Sequence, residues 1–285
     1  MARSNLPQNY VKLLIEKPKI GGFVVSLLQT CVMPLILLNI TNYPVYSQIL
    51  QPVKKVVPNS QNRLAQLKFP RNGAPIGRRQ GGARRTGTEC PDLEKPITAL
   101  VPGEETLDES KSFLALTLSE YPTFWFYVPQ LPTNLGTGEF VFQDEKGKDI
   151  YRTPLTLPEK PGTIGISLPQ SPQYALKQNN KYQWYFKVFC GNRQTTSEYF
   201  YVKAWVQRVA LTSDLENQLK TTKAKQYVAY AVNYIWQDAL TNLAQMRRNN
   251  PGDRVLFNDW NNLLTAVGLS EFASAPVLGR YGSEK

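Results

Sequence analysis

Six carboxylates, Glu120, Glu139, Asp144, Glu145, Asp149 and Glu159, fall at strand ends or turns of a strand-rich stretch, and they are the side chains best suited to acid-base work. Two of them facing each other across a cleft would resemble a glycosidase pair, one protonating the leaving oxygen while the other attacks the sugar or activates water. Spacing along the chain does not show whether any two face each other, and charged residues at turns are ordinarily solvated. An envelope glycan hydrolase is therefore the alternative, and a protein without catalytic residues the main expectation. Histidine is absent from the chain, which removes Ser-His-Asp and Cys-His arrangements and the usual zinc and non-haem iron sites. Asp144, Glu145 and Asp149 lack the regular ligand spacing of a calcium loop. The glycine cluster around Gly81 does not follow a strand and open a helix, as a phosphate cradle must. No metal and no cofactor is implied.

Aromatic residues offer binding instead. Trp125 and Tyr127 alternate with Phe124, Phe126 and Val128, while Tyr199, Tyr201, Lys203 and Trp205 alternate with Phe200, Val202, Ala204 and Val206. In a strand such alternation sends one set to the core and the other to the opposite face. Exposed, Trp125, Tyr127, Tyr199, Tyr201 and Trp205 would form a platform for sugar rings or a protein partner. Covered, they would seat the helices that follow, and this is the plainer reading because apolar helix stripes need such a surface. Upstream, Arg78, Arg79, Arg84 and Arg85 sit on glycine hinges and would suit an anionic polymer or acidic lipid head groups. No aromatic residue interleaves them in sequence to stack on bases, so a solvated spacer is the plainer reading there.

The elements that must position these groups follow from periodicity. Seven runs of period two, rich in aromatic and β-branched residues, extend over Phe113–Leu118, Phe124–Val128, Glu139–Gln143, Ile150–Leu157, Thr163–Leu168, Tyr182–Cys190 and Glu198–Val209. Asp144 to Lys148 closes one hairpin and Gly191-Asn192-Arg193 another, while Pro154, Pro158, Pro161, Pro169 and Pro172 confine the middle strands to edges or bulges. The pattern predicts a mainly β domain over 89–210, an antiparallel β-sandwich of immunoglobulin-like or jelly-roll-like kind. After Val209 the period becomes helical. Val228, Ala231, Ile235, Ala239, Leu243 and Met246 form one stripe; Asp253 caps a second helix bearing Leu256, Phe257, Trp260, Leu263, Leu264 and Val267, which Gly268 ends. A C-terminal α-helical hairpin over 211–276 packed on the sandwich is expected, with a disordered tail over 277–285.

Charge and cysteines bear on compartment and partner. Residues 1–47 carry 4 basic and 1 acidic side chains, 48–88 carry 9 basic and no acidic ones, and 89–285 carry 20 basic and 21 acidic ones. The net charge of +11 therefore resides in the N-terminal part, and the domain has no footprint for a phosphate backbone, so nucleic acid is not expected as a partner. Residues 48–88, rich in Pro, Asn, Gln, Gly and Arg, read as a disordered basic linker. Arg3, Lys12, Lys17 and Lys19 precede an uncharged apolar run over 21–40, with Val45 and Ser47 spaced as at a signal peptidase site. Cleavage after Ser47 is the main reading; a membrane anchor through residues 21–40 and a lipoprotein signal at Cys31 are the alternatives. Either way the domain is expected in the periplasm or at the cell surface. In an oxidising compartment Cys90 and Cys190 can pair, the alternative being two buried thiols.

The runs Glu120 to Pro129, Ile150 to Thr153 with Pro161 to Ile166, and Tyr182 to Cys190, with the helix segment Trp236-Gln237-Asp238-Ala239-Leu240, resemble a cyanobacterial family catalogued as domain of unknown function 928, over roughly residues 75 to 270. The resemblance implies a secretion signal and a strand-rich domain followed by helices, and no activity, ligand or catalytic residue. The expectation is a non-catalytic binding or structural module of the cell envelope, contacting a protein or glycan through a sheet face or its loops.

Overall fold

The computed structural model describes residues 64–70, 77–83, 90–103, 113–192 and 198–281. The segment read as signal or anchor (1–47), Cys31, Arg84 and Arg85 lie outside them. Among the described residues no helix is long and apolar enough to cross a membrane.

All seven alternating runs are strands, and three further strands join them. In chain order the strands are β1 (Arg78–Ala83), β2 (Thr98–Ala99), β3 (Leu114–Thr117), β4 (Thr123–Val128), β5 (Thr137–Asp144), β6 (Asp149–Thr156), β7 (Gly162–Ser167), β8 (Lys181–Phe189), β9 (Tyr199–Arg208) and β10 (Val277–Tyr281). They form one sheet in the order β10-β7-β4-β2-β1-β9-β8-β5-β6, with β3 beside β9. The expectation of an all-antiparallel arrangement is corrected by two pairs, β10 with β7 and β3 with β9, which run parallel. The sheet is thus mixed, and it curls until it is nearly closed into a barrel-like shape.

The cause of the curling is apolar. The inward positions of β4, Phe124 and Phe126, meet those of β5 and β8 across the interior, with Phe126 and Phe186 ring centroids 4.5 Å apart and Phe124 and Trp184 5.4 Å apart. Phe140, Phe142, Val188, Phe200, Val202 and Val206 complete this core. At about 25 cal/mol per Å² of apolar area removed from water, such rings supply most of the drive for the two arms to face each other. The β5–β6 hairpin turns as expected: Asp144 Oδ1 accepts from the amides of Lys146 and Lys148, both at 2.9 Å, and Gly147 takes φ 84°. Pro154 lies on β6, which among the described residues pairs only with β5, so its missing N–H leaves no inner ladder bond open.

Two boundaries differ from the sequence reading. The segment 48–88, expected as linker throughout, contributes β1 and also Leu64, Leu67 and Phe69, which pack on the helix side of the sheet. The run Arg78–Ala83 shows no apolar alternation because its buried side chain is the polar Arg79 and its backbone packs closely on its neighbours: a Cβ at Gly81 would lie 3.2 Å from the Ile97 carbonyl oxygen. Val277–Tyr281, expected as tail, is β10.

The helices are α1 (Ser213–Thr221), α2 (Gln226–Val232), α3 (Trp236–Asn249) and α4 (Arg254–Thr265). The stripe expected on one helix from Val228 to Met246 is divided between α2 and α3. Tyr234 adopts φ 61° there, and the Ile235 amide donates to the Tyr230 carbonyl at 2.9 Å, which is how a Schellman turn ends a helix. Asp253 caps α4 as read, accepting from the amides of Val255 and Leu256. A second core joins these helices to the outer side of β4, with Trp236, Leu240, Leu243, Trp260 and Leu263 against Trp125 and Tyr127. Polar bonds fix the seat: Trp236 Nε1 donates to the Leu100 carbonyl at 2.8 Å and Gln237 Nε2 to the Thr123 carbonyl at 3.0 Å. Cys90 and Cys190 form a disulfide with Cα atoms 4.9 Å apart.

Candidate functional site

With Tyr182, Trp184, Phe186 and Val188 turned inward on β8, the intervening Gln183, Tyr185 and Lys187 must face outward, and the register aligns them with outward residues of the neighbouring strands. One row across the sheet runs Arg152 (β6), Val141 (β5), Tyr185 (β8), Lys203 (β9) and Arg78 (β1). The next runs Glu139, Lys187 and Tyr201. In each row a tyrosine and a lysine therefore stand side by side on β8 and β9. Together with Tyr199 they line a surface groove of about 350 Å³, within the ~300–1,000 Å³ of small-molecule clefts.

Cations lie against the rings. Lys203 Nζ is 5.2 Å from the centre of the Tyr185 ring, Lys187 Nζ 5.0 Å from that of Tyr199, and the Arg78 guanidinium 4.7 Å from that of Tyr201. Such contacts hold the long side chains upright at about 0.5–1 kcal/mol each where solvent reaches them. Beneath, the Glu139 carboxylate, 5% exposed, accepts from Arg152 and lies 3.5 Å from Lys187 Nζ. Arg152 also binds Asp149 at 2.7 Å. Burial would raise the Asp149 pKa, but hydrogen bonds from Gln143 and Arg152 and the guanidinium charge hold it below the usual carboxylate value. Two carboxylates thus meet on one guanidinium, and the lowered pKa of Asp149 is the opposite of what a general acid needs.

The five aromatic residues proposed from sequence are divided by the fold. Tyr199 and Tyr201 line the groove. Trp125 and Tyr127, 2% and 7% exposed, lie under the helices, where Trp125 Nε1 donates to Thr241 Oγ1 and Tyr127 stacks near Phe272. Trp205 is buried between Gln183 of β8 and Leu114 of β3, with Lys203 above its ring. Of the arginines, Arg78 lies over the Tyr201 ring beside the groove, whereas Arg79 turns the other way and donates to the carbonyls of Val267 and Gly103. The remaining carboxylates stand apart: Glu120 pairs with Arg208 at 3.0 Å, and Asp144, Glu145 and Glu159 occupy turns. Tyr185, Lys187, Gln143, Val141 and Arg152 were not singled out from sequence, although the complement of the inward set on β8 names the first two.

A polar cavity of about 250 Å³ lies between β4 and α3. Its Asp238, with a pKa raised by burial, accepts from Thr117 Oγ1 at 2.7 Å and from the Leu118 amide at 3.0 Å. These bonds fasten the end of β3 to the helices, so the cavity is a joint of the fold. Among the described residues no group of three or more Cys, Asp or Glu is placed to hold a metal ion.

A search of curated proteins returns no match. A family model does match, over residues 79–277, from the second residue of β1 to the first of β10. The chain belongs to the family described as Domain of Unknown Function (DUF928).

Proposed function

We propose that the chain is an exported, non-catalytic module of the cell envelope that binds a protein or glycan through the outer face of β5, β8 and β9. The groove in which Tyr185, Tyr199 and Tyr201 alternate with Lys187 and Lys203 carries this reading. Rings with a polar handle give contact area at low entropic cost, and cations already braced on them lose little freedom when a ligand arrives. Export is supported by the Cys90–Cys190 disulfide, because such bonds persist in oxidising compartments. The shared Arg152 of Glu139 and Asp149 favours binding over the hydrolase alternative. In this reading the two arms of the sheet act as the layers of a β-sandwich, and α3 with α4 as the helical hairpin upon one of them. The test is a glycan array and a pull-down from envelope proteins, with the full chain beside the Tyr199→Ser, Tyr201→Ser variant. Retention lost in the variant at unchanged thermal unfolding is the expected outcome; equal retention, or silence of the native chain on both, overturns the proposal.

A further inference from the structure

We infer that the ligand of this groove is an acidic polysaccharide, a chain whose sugar rings carry carboxylates; the inference rests on the binding role proposed for the same face.

The charge geometry points that way. Arg152 and Lys187 share the buried Glu139 between them, yet their side chains are 42% and 20% exposed against 5% for the carboxylate. A ligand approaching from solvent meets the cationic ends first. Lys203 has no ion pair among the described residues and rests only on the rings of Tyr185 and Trp205. Ammonium groups held among tyrosines gain most from a partner that supplies negative charge, since desolvating them against a neutral surface costs free energy that nothing returns.

The shape and the wider charge narrow the class. From Arg152 on β6 to Arg78 on β1 the row crosses five strands; at a strand spacing of ~4.8 Å that is about 19 Å, room for a segment of an extended chain and not for one small molecule alone. The tyrosine rings provide faces for sugar C–H groups, and Gln143, which lines the groove, provides an amide for hydroxyls. Nucleic acid fits less well, because it demands a broad basic footprint and residues 77–285, which include β1, carry 24 basic against 21 acidic side chains. Sparse carboxylates on a sugar chain suit a few fixed cations among rings.

The test uses the full chain in titration calorimetry with polygalacturonate, its methyl-esterified form, poly-L-glutamate and single-stranded DNA. Polygalacturonate should bind with an affinity that falls as salt rises, at least about tenfold tighter than the ester, which has the same backbone without the charge. Lys203→Gln and Tyr201→Ser should each weaken it about tenfold, and Tyr201→Phe should restore it, all with native thermal unfolding. Equal binding of the ester overturns the acidic assignment while leaving a glycan-binding face in place. Binding of poly-L-glutamate or DNA as tight as that of polygalacturonate, indifferent to Tyr201→Ser, reduces the groove to a patch of charge and overturns it too. Failure of all four probes overturns it, and the array and pull-down then decide separately whether the face binds anything.

Discussion

Opening the Cys90–Cys190 bond should remove more stability than any other two-atom change in this fold. The cysteines are 100 residues apart, and the closed loop holds every strand from β2 to β8. In the chain-entropy account a loop of that length restricts the unfolded chain by ~4.7 kcal/mol. A domain of this size loses about 2–4 °C of melting temperature per kcal/mol, so reduction should lower the midpoint by roughly 10–20 °C. The Cys90→Ala, Cys190→Ala variant should fall slightly further, because Cys190 is 3% exposed and its sulfur fills core space; the deleted atom adds on the order of 1 kcal/mol. The assay is a circular-dichroism melt of the full chain, oxidised, reduced and doubly substituted. If oxidised and reduced chains melt within about 2 °C of each other, the unfolded state is not being restrained and the reasoning fails.

Two further outcomes follow from packing and titration. An added Cβ at Gly162 would lie 2.6 Å from Leu278 Cγ and 2.8 Å from the Pro276 carbonyl oxygen; Gly162→Ala should therefore loosen β10 from β7 at about 1–3 kcal/mol, read as faster amide exchange at Thr163, whose N–H donates to that carbonyl, whereas Gly252→Ala, with open space around it, should change little. Burial, with the Asp259 bond and charge, raises the Tyr227 pKa well above the ordinary value of 10.0, and burial also raises Tyr127 and Tyr230, helped by Glu94 and Glu271 and by Asp238 respectively. A raised folded-state pKa means that stability from these tyrosines is fully present below pH 10.0 and is lost as pH rises through the folded values. Alkaline titration should then show a late phase of tyrosine ionisation, from Tyr127, Tyr227 and Tyr230, that coincides with collapse of helical ellipticity; ionisation completed with the helices intact refutes it.

Much of the fold was readable because burial writes a period into a chain. The seven alternating runs correspond to strands within one or two residues at each end, since each carries an apolar face that must meet a core. Asp253 and the Asp144 to Lys148 turn act locally, through side chains bonding their own backbone neighbours, so position along the chain sufficed. β1, β2 and β10 left no such trace. β1 is an arginine and glycine run, β2 has two residues, and β10 contains Gly279 at φ 133°; their partners are distant in sequence, and pairing depends on backbone groups that every residue has. The division at Tyr234 was hidden for a related reason: two helices joined by a tight turn kept an almost continuous stripe.

The candidate site shows the same limit more sharply. Alternation alone determined that Tyr199 and Tyr201 stand opposite Phe200 and Val202, and the composition alone excluded histidine chemistry. Whether an outward aromatic meets solvent or a helix was decided only by tertiary structure, which covered Trp125 and Tyr127 and left Tyr185, Tyr199 and Tyr201 lining a groove. The arginine run had no aromatic neighbour along the chain, yet pairing β1 with β9 set Arg78 over Tyr201. A linear sequence records what each residue prefers; which residues of different strands share a face depends on register, a property of pairs that exists only once the chain has folded.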